Sequence, residues 1–219
     1  MRTIAVPRVS NPVPLIGNTS GTVWERSELI EIDQFLWTTP EDRPQTTVRA
    51  LYDEGALYLH YTVTDRHSYA TTTTLNGPVW EDSCVEFFAT PQPKVRKAYL
   101  NFEVNCVGTY HLGYGPDRGN RALVERETAA AIEVQTSIDG PQKCPQNADD
   151  EWWVAAKLPF GVLSDLTGVT ISPSSETRWR GNFYRLRSHP EPLYAAWNRI
   201  DTVEPNFHRP SEFGELTFL

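Results

Sequence analysis

Three stretches of this 219-residue chain set a row of hydrogen-bonding side chains against a row of apolar ones. In Trp80-Glu81-Asp82-Ser83-Cys84-Val85-Glu86-Phe87-Phe88, Val85 and Phe87 share one face of an extended chain, and Asp82, Cys84 and Glu86 share the other with Trp80. From Tyr99 to Cys106, Asn101, Glu103 and Asn105 lie opposite Leu100, Phe102 and Val104. From Trp179 to Tyr184, Arg180, Asn182 and Tyr184 lie opposite Trp179 and Phe183. A merely wetted face favours Lys, Thr and loosely spaced Glu, whereas Asn, Asp, Glu, Arg and Tyr make fixed, directional hydrogen bonds. If the three strands are neighbours, the rows merge into one patch able to hold a polyhydroxylated ligand. The plainer readings are an ordinary wet sheet face, or a buried network that pairs Arg180 with Glu86 or Glu103.

Glu81, Asp82, Glu86 and Glu103 also offer carboxylate pairs of the kind glycoside hydrolysis uses, which must flank the scissile bond at roughly 5–9.5 Å. Nothing in the spacing places such a pair, and Ser83 lacks the G-x-S-x-G setting of a hydrolase nucleophile. The chain therefore reads as a binder rather than a catalyst. His60 and His67 flank Asp65 without a metal-site spacing, and His208, between Phe207 and Arg209, reads as a structural hydrogen-bonder. The three cysteines, Cys84, Cys106 and Cys144, form no C-x-x-C pair, and Met1 is the only methionine, which removes a Met/His haem site.

The elements that would carry these rows are short. Prolines (17) and glycines (13) are scattered in turn-like clusters, and between them lie β-branched and aromatic runs. These are expected strands over 46–51, 56–64, 83–89, 99–107, 131–137, 152–158, 179–187 and 193–199, the pattern of a sandwich or barrel. Tyr52 to Ala56 reads as a hairpin turn in which Gly55 takes positive φ. Pro159 to Leu163 is the one helical turn expected, and 71–78, 139–150 and 170–177 read as loops. No linker divides the chain, so a single domain over residues 1–219 is expected.

Twenty Lys and Arg against 28 Asp and Glu give a net charge of −8, which speaks against nucleic acid and anionic membranes as partners. No apolar run approaches the ~20 residues of a membrane helix, and no secretory signal is evident. The sequence as written reads as soluble and cytoplasmic, or as secreted if a leader has been removed. Seven Trp, nine Tyr and nine Phe stand against that single Met. Trp24, Trp37, Trp152, Trp153 and Trp179 read as packing residues, the adjacent pair 152 and 153 necessarily pointing to opposite faces.

Leu51 to Leu59, Val63-Thr64-Asp65, the W-E-D-S-C-V-E-F-F run from Trp80, Lys157-Leu158-Pro159-Phe160 and the closing run from Ala196-Trp197 to His208-Arg209-Pro210-Ser211-Glu212-Phe213-Gly214 resemble the family-nine carbohydrate-binding modules. The likeness spans about residues 24–219. It implies an all-β jelly-roll sandwich that holds a sugar chain end between two tryptophans without catalysis. By motif, Trp80 and Trp197 would be the stacking pair, Glu86 the carboxylate on sugar hydroxyls and Asn182 the side-chain amide. Where the family places an arginine after the W-E run, this chain has Glu103, and the nearest candidate cation is Arg180. Resemblance and polar rows together lead to the expectation of a mono- or oligosaccharide ringed by Trp80, Glu86, Glu103, Asn105, Arg180, Asn182, Tyr184 and Trp197. It requires no cofactor, and it suggests a structural calcium to which Asp53, Asp65 and Asp82 could contribute. A hydrolase, or a protein-interaction module that has lost sugar binding, are the alternatives.

Overall fold

The computed structural model describes residues 1–38, 43–141 and 151–219. Its strands are β1 (Thr3–Val6), β2 (Ile30–Glu31), β3 (Gln34–Phe35), β4 (Gln45–Tyr52), β5 (Ala56–Thr64), β6 (Cys84–Thr90) and β7 (Tyr99–Asn105). They continue with β8 (Tyr110–Gly115), β9 (Ala122–Leu123), β10 (Glu133–Thr136), β11 (Glu151–Pro159), β12 (Arg178–Arg187), β13 (Leu193–Ala196) and β14 (Gly214–Phe218). One turn of helix, α1 (Arg126–Ala129), follows β9, and α2 (Phe160–Thr167) follows β11. The helix at Pro159 is longer than expected and stops where Gly168 adopts a left-handed conformation, φ 66°.

Among the described residues the strands form two sheets. The larger runs β1-β14-β12-β6-β7-β8-β9, with β13 and β3 attached beside β12, and the smaller runs β10-β11-β5-β4-β2. The expected all-β sandwich is the fold observed. Its core lies between the sheets, where Val85, Phe87, Phe102, Val104 and Phe183 meet Leu59, Tyr61, Trp152 and Val154. Strand alternation alone places those residues, because one face of each strand is apolar. The strands the sequence does not announce, β1, β2, β3, β8, β9 and β14, are mostly short or edge elements; β1, β3 and β14 pair with strands distant in sequence, whereas β8 and β9 continue from β7 as successive neighbours.

The expected hairpin joins β4 to β5, but Gly55 does not take positive φ. The turn is held instead by Asp53 Oδ1, which accepts from the Gly55 and Ala56 amides at 2.7 and 2.8 Å. Trp24, Trp152 and Trp179 are buried as packing residues, and Trp153 stacks on His60 on the face opposite Trp152. Cys84 and Cys106 are buried and unbridged; Cys144 and most of the 139–150 loop lie outside the described residues.

A second apolar cluster covers part of the outer face of the large sheet. Leu36, Phe88, Tyr99, Tyr184, Ala196, Ile200, Phe207 and Phe213 pack there, so the segment between β13 and β14 folds back over the sheet. That fold-back leaves a cavity beside it.

Candidate ligand-binding cavity

The cavity floor belongs to one cross-strand row, whose members Glu86, Glu103 and His111 line it and whose Tyr184 lies covered beside it. Tyr184 on β12 pairs with Glu86 on β6, Glu86 with Glu103 on β7, and Glu103 with His111 on β8. The three polar rows of the sequence therefore do fall on neighbouring strands. Above this row lies a cavity of about 550 Å³. Trp80, 37 % exposed on the turn Val79–Glu81, forms one wall and meets His111 edge-on at 5.6 Å. The fold-back segment supplies Asn206, Phe207 and His208, and the loop between β8 and β9 supplies Arg118 and Arg121.

Trp37 also lines the cavity, contrary to the expectation that it only packs. It sits at φ 62°, a conformation uncommon for a bulky residue and costly by about 1–3 kcal/mol, with Nε1 donating to the Thr202 carbonyl at 2.7 Å. Its ring contacts Tyr194 and Phe207 at 5.8 and 5.7 Å.

Of the eight expected site residues, the fold brings Trp80, Glu86 and Glu103 to the cavity, and the other five do not line it. Trp197 is 3 % exposed and belongs to the inter-sheet core, against Phe183 at 5.8 Å. A Cβ on Gly214 would lie 2.3 Å from its indole, so that glycine is what admits the ring. The expected clamp between Trp80 and Trp197 is corrected accordingly: the second tryptophan on the cavity is Trp37. Parity would have shown this, since Trp197 continues the inward row of Leu193 and Ala195.

Hydrogen bonding explains the remaining absences. Arg180 is held by the backbone carbonyls of Phe213 and Gly214, not by Glu86 or Glu103. Asn182 donates to the Asn198 carbonyl and accepts from the Asn198 and Phe183 amides at 2.8–3.0 Å. Asn105 donates to Asp82 and to the Thr72 carbonyl and accepts from the Thr109 amide. Tyr184 donates to the Phe207 carbonyl at 3.1 Å and stacks on Phe207 at 4.2 Å, supporting the cavity wall from below. The fold uses these groups to fasten loops.

The three aspartates named for calcium are occupied in the same way. Asp65 accepts from Arg185 and Arg187 at 2.8 Å each, Asp82 from the Thr71 and Thr72 amides and Asn105, and Asp53 closes the hairpin and accepts from Tyr58. No cluster of three metal-binding side chains exists among the described residues, so this set does not fit a shared calcium.

The cavity floor is different. Glu86 and Glu103 are 2 % and 5 % exposed. Glu103 Oε1 accepts from Asn101 Nδ2, while Oε2 is buried without a partner; Glu86 Oε1 is approached by the Cys84 thiol at 3.6 Å. Burial pushes Glu103 up to about 7, and burial followed by the charge of Glu103 pushes Glu86 well above the usual carboxylate range. Burial, then Arg121 and Arg118, drive His208 down to about 3, so its imidazole is neutral. Because the Arg121 guanidinium can only donate, its 2.9 Å contact makes His208 Nδ1 an acceptor and leaves the ring proton on Nε2. Arg121 also donates to the Tyr99 hydroxyl at 2.8 Å and lies over that ring. His208 is the hydrogen-bonder expected, meeting Arg121 and Tyr99 while also lining the cavity, whereas Arg118 and Arg121 sit in a loop whose sequence has no periodicity to mark them.

A protein from Bacteroides uniformis described as a candidate carbohydrate-binding protein matches the fold with a TM-score of 0.87 at 25 % identity, covering 100 % of this chain and 99 % of its own. A family 9 carbohydrate-binding module from Caldicellulosiruptor kristjanssonii, solved in complex with glucose and with cellotriose, matches with a TM-score of 0.68 at 17 % identity in both structures. The glucose complex covers 100 % of this chain and 96 % of its own, the cellotriose complex 99 % and 93 %. No curated protein matches. The model of carbohydrate-binding family 9 matches residues 22–218, nearly the whole chain and both sheets, and the chain belongs to that family.

Proposed function

We propose that the protein binds carbohydrate without catalysis, holding a sugar ring in the cavity on the outer face of the large sheet. A pyranose has apolar C–H faces and a rim of hydroxyls, and it needs flat aromatic surface together with buried hydrogen-bonding groups that are not already taken. The observation that carries the reading is the coincidence of these two features in one place: Trp80 and Trp37 line the same cavity whose floor holds the unpartnered Glu103 Oε2. His208 Nε2–H and Arg118 add donors at the rim. Family membership and the sugar complexes of the structural neighbours support the same ligand class.

A single sugar offers few atoms, so weak binding is expected. Titration of glucose, galactose, mannose and cellotriose, followed by calorimetry and tryptophan fluorescence, tests the proposal. Saturable binding lost in Trp80→Ala is the expected result. No response from any of the four at millimolar concentration overturns it.

A further inference from the structure

The cavity floor holds two acids with no base in hydrogen-bond contact among the described residues. Glu86 and Glu103 are direct register partners, whose Cβ atoms lie ~4.5–5.5 Å apart, and both side chains rise into the same cavity; Glu86 Oε1 leans toward Cys84 and Glu103 Oε1 toward Asn101. The charged and titratable groups around them come from several elements. Glu81 and Cys84 flank them from the turn Val79–Glu81 and from β6, and Tyr184 lies beside Glu86 from β12. His111 lies beside Glu103 from β8, and burial lowers its pKa below the ordinary imidazole value. Arg118, Arg121 and His208 stand on the wall, their two guanidinium charges favouring ionised acid while making no hydrogen bond to it. Arg121 is already engaged by Asp117, Tyr99 and His208.

Two full negative charges buried on one cavity floor, with no cation bonded to either, repel each other and lack the solvation that would sustain both. One retained proton removes the conflict and gives the pair mixed character: a carboxyl that both donates and accepts next to a carboxylate that only accepts. Two adjacent sugar hydroxyls, each able to donate and accept, are the complement of that arrangement. We propose that Glu86 and Glu103 act as a one-proton pair that grips two neighbouring hydroxyls of a neutral sugar, with Glu103 Oε2 as the buried acceptor the sugar satisfies. The inference rests on the sugar-binding reading and adds the ligand's charge class. An amino sugar is opposed by Arg118 and Arg121, and for a uronic acid the attraction of those guanidiniums is met by repulsion from the carboxylate itself.

The pH dependence follows. Glu103 changes state near pH 7, so lowering the pH from 8 to 5.5 removes the ionised acceptor, and apparent affinity falls with the fraction of competent protein, roughly 10–30-fold. Calorimetric titration of glucose, glucosamine and glucuronate into wild type and Glu103→Gln at pH 5.5, 7 and 8 reads this directly. Expected are tightest binding of glucose among the three at pH 7, a rise in glucose affinity from pH 5.5 to 8 in wild type, and a flat profile in Glu103→Gln. Glucose affinity unchanged with pH, or glucosamine binding more tightly than glucose at pH 7, overturns the inference while leaving sugar binding standing. Silence from all sugars overturns the functional reading instead. In that case the infrared spectrum of the unliganded protein still tests the pair: a protonated-carboxyl band at pH 8, lost in Glu86→Gln/Glu103→Gln, is expected, and its absence from wild type overturns the shared proton.

Discussion

Two buried charge clusters lie within one strand's reach of each other, and they are built in opposite ways. At the end of β5, Asp65 sits between Arg185 and Arg187, all three at most 4 % exposed, and both carboxylate oxygens are taken at 2.8 Å. Arg185 spends further donors on the Cys84 and Leu186 carbonyls and lies over the Trp152 ring at 5.3 Å. On the other face of the same sheet, Glu86 and Glu103 stand together with one oxygen unpartnered. Glu86 and Arg185 belong to adjacent strands and differ only in parity, which sends one to the cavity and the other to the core. A buried cluster whose acid is fully bonded is a fastening. One that faces a cavity with acceptors to spare is disposed to take a ligand.

The strongest way to break this contrast is to remove the acid from the closed cluster. Asp65→Ala leaves the buried Arg185 guanidinium without its carboxylate and is expected to destabilise the fold by about 3–5 kcal/mol, read from urea unfolding. A loss below about 1 kcal/mol would mean that solvent already serves that arginine.

The open pair should show the reverse sign. The folded-state value of Glu103, about 7, lies above its ordinary value near 4.5, so its contribution is fully present below about pH 4.5 and is lost as pH rises to about 7. Over that window wild type is expected to lose on the order of 2–3 kcal/mol relative to Glu103→Gln, whose profile lacks this component. Parallel unfolding curves for the two proteins across pH 4.5–7.5 would contradict it.

Trp80→Ala separates binding from folding. With its indole 37 % exposed, the substitution should leave stability within about 0.5 kcal/mol while weakening sugar affinity roughly tenfold, ~1.4 kcal/mol, by calorimetry. Equal losses in both would place Trp80 among the packing residues. The smallest effect belongs to Arg118→Ala: removing a guanidinium that favours ionised Glu103 without bonding to it should move the pH midpoint of binding slightly upward, and more so at low salt.

Much of this arrangement is legible in the chain. Alternation marks the polar and apolar faces of β6, β7 and β12, and the W-E-D-S-C-V-E run carries both Trp80 and Glu86. Alternation also marks Trp197 as inward, and there the motif resemblance pointed the other way. What alternation does not contain is whether a polar side chain meets a sugar or a backbone carbonyl. Asn105, Arg180 and Asn182 occupy the same kind of position as Glu103, yet each is met by a loop or strand that returns from far along the chain: Thr72 and Asp82, Phe213 and Gly214, and Asn198.

The residue order by itself therefore determined the polar and apolar faces of β6, β7 and β12 and the presence of Glu86 and Glu103 on the polar ones, because side-chain direction along a strand has a period of two and needs no distant contact. Only the tertiary structure decided which members of those rows remain unsatisfied. Hydrogen-bond saturation is a property of whatever segment lands on the row. The fold-back between β13 and β14 covers Tyr184 and Phe88, brings Phe207 and His208 to the wall, and stops short of the two glutamates.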